Sequence, residues 1–226
     1  SHARRNGRSR PSRAKTYTLC LSRGGKATTP TGNGRLSEQK PPSVGKDEFI
    51  YAPKNPVPEL HGPALFTIPA DQRPLARRKD ILVYQTEPLS ERVEVTGNPV
   101  VELYAASSAA DTDFFVRLID IAPSGIARDV SLGMVRARYR NGVDKPKLID
   151  PGKTIRYTIG MHPTSNAFLP GHRIRLPVTS ADLPYYHRHR NTSTDQKAHP
   201  TLKTAPQSRP TCSPHAPQTP HPRPPT

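Results

Sequence analysis

Between residues 81 and 179 the chain keeps returning to one pattern: short runs in which apolar and polar residues alternate, closed by glycine, proline, asparagine or serine. A period of two sends successive side chains to opposite faces of an extended strand. "ILVYQ" (81–85), "RVEVT" (92–96), "PVVELYAAS" (99–107), "TIRYTIG" (154–160) and "HRIRLPV" (172–178) all carry it. No segment of useful length places apolar residues at helical spacing. A chain built this way has to fold from strands.

The run "FFVRLIDI" (114–121) is denser in apolar residues, as expected of a strand covered on both faces. The turn "APSG" leads from it into "IARDVSLGMVRARYR", which reads as another hairpin. With "TYTLCL" (16–21) this makes about nine or ten short strands at roughly ten-residue spacing, the arithmetic of an antiparallel sandwich of jelly-roll or related type. Phe115, Leu118, Val101, Leu103, Ile155, Tyr157, Ile174 and Leu176 are expected to point inward, although a doubly covered strand leaves open which of Phe114 and Phe115 faces the core. Arg156, Thr158, Arg173 and Arg175 fall on the wet face. Pro177 removes a ladder donor, which predicts an edge position or a bulge for its strand. "EFIYAPKNPVPEL" (48–60), broken by three prolines, is expected on a surface or edge, and "TTPTGNGRLSEQKPPSVGKD" (28–47) as a loop.

Composition marks the ends of this body. Residues 1–15 hold six basic residues and no acid, and residues 191–226 hold nine prolines and no apolar run. Neither can bury enough surface to offset its ordering entropy. The organisation expected is a disordered lead-in (1–15), a β-sandwich (16–190) and a disordered tail (191–226). The formal charge of +16 divides the same way: residues 16–187 carry 22 basic and 17 acidic residues, and the rest of the excess lies on the two ends. That places most of the charge where no aromatic residues accompany it, although Arg77, Arg78 and Lys79 lie in the body, and no nucleic-acid partner is expected. No stretch is long and apolar enough to span a bilayer, so no membrane partner is expected either.

Catalytic chemistry is hard to find. There is no Gly-x-Ser-x-Gly elbow. Ser-x-x-Lys occurs at Ser12/Lys15 and Ser37/Lys40, in loops without the helix and partner motifs that give the pattern meaning. Asp111 and Asp113 lack the glycine and distal glutamate of a calcium loop and suit the shaping of the turn before Phe114. His187 and His189 have no further ligands near them and are expected to be exposed. Cys20 and Cys212 make neither a disulfide framework nor a zinc site, and Cys20 fits a small buried side chain. Asn191-Thr-Ser matches the glycosylation pattern without other signs of secretion. No catalytic residue, cofactor or metal is expected.

The stretch "LVYQTEPLSERVEVTGNPVVELYAASSAADTDFFVRLIDIAPSGIARDVSLGMVRARYR" resembles the C-terminal domain of the CocE/NonD hydrolases, which include X-Pro dipeptidyl-peptidases, cocaine esterase and α-amino acid ester hydrolases. The likeness continues through "KPKLIDPGKTIRYTIGMHPTSNAFLPGHRIRL" and, upstream, "GNGRLSEQKPP" and "FIYAPKNPVPELHG". It implies an all-β, jelly-roll-like sandwich of the galactose-binding type, packed against an α/β-hydrolase core that carries the Ser-Asp-His triad. None of the triad positions occurs in this sequence, so the resemblance implies an accessory domain or fragment that is inactive alone. The α/β-hydrolase catalytic domain is the partner it implies. The sequence departs from the family before Thr16 and after about Asn191, as a gene fragment, a frameshift or a genuine tail would. Lost terminal strands would leave an open sheet edge, able to pair with a partner or a second copy.

Within this reading, Arg136, Arg138 and Arg140 would align three guanidinium groups along one side of a strand. They either pair with acids such as Asp111 and Asp113 or dock against acidic groups of the hydrolase core. A stand-alone carbohydrate- or protein-binding module is the alternative. Against it stands the lack of tryptophan, which leaves Tyr185 and Tyr186 as the main candidates for stacking on a sugar.

Overall fold

The computed structural model describes residues 16–22, 26–28, 34–41, 46–60 and 71–184, together with Tyr186, His187, His189 and Asn191. The expectations for residues 1–15 and 192–226, for Ser12/Lys15, for Tyr185 and for Cys212 lie outside the described residues. Among those described, the chain forms β1 (Cys20–Ser22), β2 (Arg35–Ser37), β3 (Leu82–Gln85), β4 (Val93–Gly97) and β5 (Val100–Ala105). It continues with β6 (Asp113–Ile121), β7 (Ala127–Arg136), β8 (Ile155–Gly160), β9 (Thr164–Phe168) and β10 (Arg173–Thr179). Its helical content is two 3₁₀ turns, Arg73–Arg77 and Ala137–Tyr139. The all-β expectation holds.

One sheet of six strands runs β1-β2-β3-β10-β6-β7, and β4-β9 and β5-β8 form two antiparallel ribbons. Pairing in the sheet is antiparallel except for a single parallel bridge between Arg35 of β2 and Gln85 of β3. Sheet and ribbons share one core. Leu82, Tyr84, Phe114, Val116, Ile174 and Val178 of the sheet meet Leu103, Tyr157, Ile159 and Phe168 of the ribbons. The rings of Phe114 and Tyr157 lie 4.9 Å apart, tilted by 51°. Of the residues expected inside, Leu103, Tyr157, Ile174 and Leu176 are buried, and Val101, Leu118 and Ile155 pack against the same cluster.

Phe115 corrects one expectation: the core-facing phase of β6 belongs to Phe114, Val116 and Leu118. Phe115 is equally buried but packs edge-on against Tyr186 on the other side of the sheet. The strand with Pro177 is not at an edge, because β10 lies between β3 and β6. Its ladder with β6 lapses at Leu176 and Pro177 and resumes at Val178, where proline has no N–H to give.

The segment 48–60 runs along the surface, as expected, with Glu48, Ile50, Lys54, Asn55 and Pro58 exposed, and turns selected side chains inward. Its prolines keep it out of the ladders, yet Phe49, Tyr51 and Val57 are buried while Ile50 between them is exposed. The Asp47 carboxylate anchors its start, accepting from the Ala27 N–H at 3.3 Å and the Tyr84 hydroxyl at 3.1 Å. Two strands, β2 and β9, fall where the alternation is silent. Cys20 is buried as expected but is disulfide-bonded.

Candidate functional site

The ladder of β6 and β7 places Asp113 directly opposite Arg136. The pair closes in fork geometry, Nε to Oδ1 at 2.7 Å and Nη2 to Oδ2 at 2.9 Å. Beyond Arg136 the strand stops, because the Ala137 N–H bonds back to the Thr112 carbonyl at 2.8 Å and the chain enters a 3₁₀ turn. Asp111 accepts both the Arg138 backbone N–H, at 2.9 Å, and its guanidinium. Arg140 turns inward, donating to the carbonyls of Ala137 and Lys147. The three arginines therefore do not form a comb on one strand face. Two are paired with the aspartates that the sequence offered as partners, and the third staples a loop. Asp113 raises the Arg136 pKa through its hydrogen bond, outweighing the burial that lowers it.

Asp111 also reaches the other end of the chain. His189 Nε2 lies 3.0 Å from Asp111 Oδ2, and Nδ1 accepts the Asn191 N–H at 2.9 Å and faces its side-chain oxygen at 3.1 Å. The His189 carbonyl accepts the Tyr51 hydroxyl at 2.8 Å. His187 is exposed as expected, but His189 is not: its side chain is 9% exposed. Burial pushes the imidazole pKa down, and the Asp111 bond and the charge of Asp113 more than reverse this, raising it. Asp111 moves oppositely; burial raises its pKa, and His189 and Arg138 bring it below the usual carboxylate range. An Asp–His pair is half of a nucleophile-activating triad. Here the second nitrogen is occupied by Asn191, so among the described residues the pair acts as a clamp. Asn191 is 1% exposed and adopts φ 56°, which leaves no room for a glycan in the folded chain.

A second cluster lies on the outer face of the six-stranded sheet. Arg117 of β6, with 9% of its side chain exposed, meets Glu59, Asp129 of β7 and Asp182, whose Oδ1 stands 2.6 Å from Nη2. The carboxylates arrive from three segments. Glu59 and Asp182 are brought together by backbone bonds between the segments that bear them, Leu183 N–H to Val57 O at 3.0 Å and Glu59 N–H to Leu183 O at 2.6 Å. Burial lowers the Arg117 pKa, but the three acids together hold it above its ordinary value. For Asp182, burial dominates and pushes the carboxyl up, with Glu59 adding to the push and Arg117 opposing it. Nothing in sequence spacing announces this cluster; its members are 12, 58 and 65 positions from Arg117. Ser37, the other serine in a Ser-x-x-Lys pattern, donates to the Gln39 carbonyl at 3.0 Å.

The family model for the X-Pro dipeptidyl-peptidase C-terminal non-catalytic domain matches residues 2–219. Cocaine esterase of Rhodococcus sp. (strain MB1 Bresler) is 45% identical over 176 residues, which cover 76% of this chain and 31% of that protein. Among solved structures, an α-amino acid ester hydrolase is similar with a TM-score of 0.72 at 31% identity, over 85% of this chain and 33% of that one. An aminopeptidase from a marine sediment Thaumarchaeota archaeon gives a TM-score of 0.70 at 30% identity, over 85% and 34%. This chain thus spans about a third of the length of the relatives it matches.

Proposed function

This chain belongs to the X-Pro dipeptidyl-peptidase C-terminal non-catalytic domain family, and we propose that it serves as the accessory β-domain of a CocE/NonD-type serine hydrolase acting on ester or amide bonds. In this role it works beside an α/β-hydrolase catalytic domain and supplies no member of the triad. The observation that carries the reading is the coverage: the family model takes in residues 2–219, and an esterase, an ester hydrolase and an aminopeptidase align over 76–85% of this chain but only about a third of their own length.

The geometry supports a division of labour. Several charged groups in the body form internal pairs that fix loops and crossings, as an accessory domain that must present a rigid face requires. The docking face we assign to the loop after β7. Tyr139, Val143 and Leu148 expose apolar surface there, Val143 at 82%, amid Lys145 and Lys147. Arg136 and Arg138 brace that loop from beneath through Asp113 and Asp111, and Arg140 holds its two ends together. Asp144 and Asp150 are exposed in the same loop, so the patch offers apolar side chains within a rim of both charges, as a docking surface does.

The experiment is co-expression of this chain with cocaine esterase from which the matching third has been removed. Co-purification and a gain of esterase turnover over either piece alone are expected, with the 226-residue chain alone giving none. Val143→Glu together with Leu148→Glu should break the association without unfolding the chain. Absence of any complex, or intact association in that double variant, counts respectively against the role and against the face.

A further inference from the structure

On the outer face of the six-stranded sheet, a cleft of about 40 Å³ lies over Arg117 and Ile119 of β6 and Arg175 of β10, closed by Val57, Gln72 and Leu75. That is room for roughly three water molecules, or for one monatomic ion with a water beside it. A space this small gathers its wall around a single occupant. The backbone brings the same groups together. Arg175 stands opposite Ile119, and the Gln72 N–H bonds at 2.8 Å to the carbonyl of Ala127, the partner of Ile121 two residues further along β6.

The wall of the cleft is rich in donors. Gln72 is 5% exposed, and its Nε2 has no hydrogen-bond partner among the described residues. Arg175 gives Nε and Nη2 to the neutral amide oxygen of Gln85, at 3.1 and 2.9 Å. Burial lowers its pKa and the neighbouring charge of Arg173 lowers it further, the mark of a guanidinium without a counter-charge at hand. Asp182 is buried, and its Oδ2 is the second polar atom of this wall without a partner. Its carboxyl, pushed up to about 7 chiefly by burial, keeps a proton into neutral solution. Oδ1 accepts from Arg117, so Oδ2 is the oxygen left to carry that proton and to donate it. Buried polar atoms are nearly always satisfied, and orphans that share one small wall point to something that fills it. Water would answer the hydrogen bonds but not the guanidinium charge. A monatomic anion answers both.

We propose that this cleft is a halide site, in which chloride sits between the Arg175 guanidinium and the Gln72 amide with the Asp182 carboxyl as a third donor. Size selects the ion, because sulfate, phosphate and organic carboxylates exceed the space. Of the acids around Arg117, only Asp182 lines the cleft; Glu59 and Asp129 do not. The anion would tie the covering segments that bear Gln72 and Asp182 to strand β10 through Arg175, so chloride should stabilise the fold. Ionised Asp182 would repel it, with Arg117 of β6, Glu59 and Asp129 of β7 as its other charged neighbours, so chloride should bind more weakly as pH rises from ~6 to ~8. The site is complete within this chain and requires no catalytic partner, so the result leaves the accessory role unaffected.

The full 226-residue chain is melted at fixed ionic strength while gluconate is replaced stepwise by chloride. The melting temperature should rise saturably with chloride, and bromide should reproduce the rise where sulfate does not. The chloride NMR line should broaden with the chain present and narrow again when bromide displaces the ion. Arg175→Gln should lower chloride affinity at least about tenfold, and Gln72→Glu, which sets a carboxylate in the wall, should abolish binding. Arg156→Gln, on the exposed face of β8, should leave it unchanged. Should the cleft variants fail to fold, the comparison of chloride with gluconate and sulfate on the unaltered chain decides by itself. Equal melting in chloride and gluconate, sulfate acting as well as chloride, or Arg156→Gln losing as much affinity as Arg175→Gln overturns the proposal.

Discussion

Asp182 accepts from Arg117 through one carboxylate oxygen, at 2.6 Å, and its other oxygen is buried with no hydrogen-bond partner among the described residues. The folded chain therefore holds a proton on this group more tightly than the unfolded chain does, with a pKa pushed up to about 7 chiefly by burial. A carboxyl raised on folding opposes folding once it ionises. Its penalty is absent below the unfolded value near ~4, grows as pH rises through the window and is fully developed above about 7. Asp182→Asn cannot ionise, so the difference in stability between the variant and the parent should move in the variant's favour as pH rises from ~4 to ~8. Urea midpoints across that range measure it. A difference that stays flat with pH would mean that Asp182 is not the buried proton acceptor.

Among the described residues, Arg117 meets three buried or nearly buried carboxylates, those of Glu59, Asp129 and Asp182. Breaking a buried ion pair by removing one partner costs about 3–5 kcal/mol, because the remaining charge loses its compensation. Arg117→Met should reach that range at neutral pH, and part of the loss should return on acidification as the orphaned carboxyls take up protons. A loss below about 1 kcal/mol would show the cluster to be hydrated in solution rather than dry.

The strands between 81 and 179 were legible because their burial alternates, as in "TIRYTIG", where Tyr157 and Ile159 are buried and Arg156 and Thr158 are exposed. Strand β9, "TSNAF", was not, since only Phe168 of its five residues is buried and no period can be seen. Prolines made 48–60 legible as surface chain, but the inward turn of the apolar residues between them was not. The pairing of Arg136 and Arg138 with Asp113 and Asp111 was among the expected outcomes, because acids and bases sat at the two ends of one hairpin. His189 and Arg117 were illegible for the same reason as each other. Their partners are brought by the fold from more than fifty positions away, Asp111 for the first and Glu59 and Asp182 for the second.

The His189 clamp has its own pH signature. Its imidazole pKa is raised on folding, so the stability it contributes is fully present below the unfolded value of ~6.5 and is lost as pH rises through the folded value. On alkalinisation the segment around His189 and Asn191 should loosen from Asp111 and Tyr51. Amide exchange at Arg138, whose N–H the Asp111 carboxylate accepts at 2.9 Å, corrected for the intrinsic pH effect, should accelerate across that window in the parent chain. In His189→Gln it should be fast and free of the pH step. A step that survives the substitution would place the titrating group elsewhere.

Close backbone approach yields the most local test. A Cβ added at Gly34 would stand 2.1 Å from the Val83 carbonyl oxygen, and one added at Gly133 would stand 2.7 Å from the Gly160 oxygen and 2.9 Å from Met161 Cγ. Gly34 joins β2 to β3, its carbonyl accepting the Gln85 N–H at 3.3 Å, while Gly133 lies where β7 bridges to Met161. Both sites meet a backbone oxygen that cannot rotate aside, but the approach is 2.1 Å at Gly34 and 2.7 Å at Gly133, so Gly34→Ala should separate β2 from β3 and cost more than Gly133→Ala. Overpacking of this kind typically costs about 1–3 kcal/mol. Gly160, with nothing within 4 Å of its would-be Cβ, serves as the control, and Gly160→Ala should change stability by less than about 0.5 kcal/mol. Melting temperatures of the three variants measured side by side should fall in the order Gly160→Ala, Gly133→Ala, Gly34→Ala, from least to most destabilised. Reversal of the last two would mean that β1 and β2 are held by contacts other than the approach of Gly34 to β3.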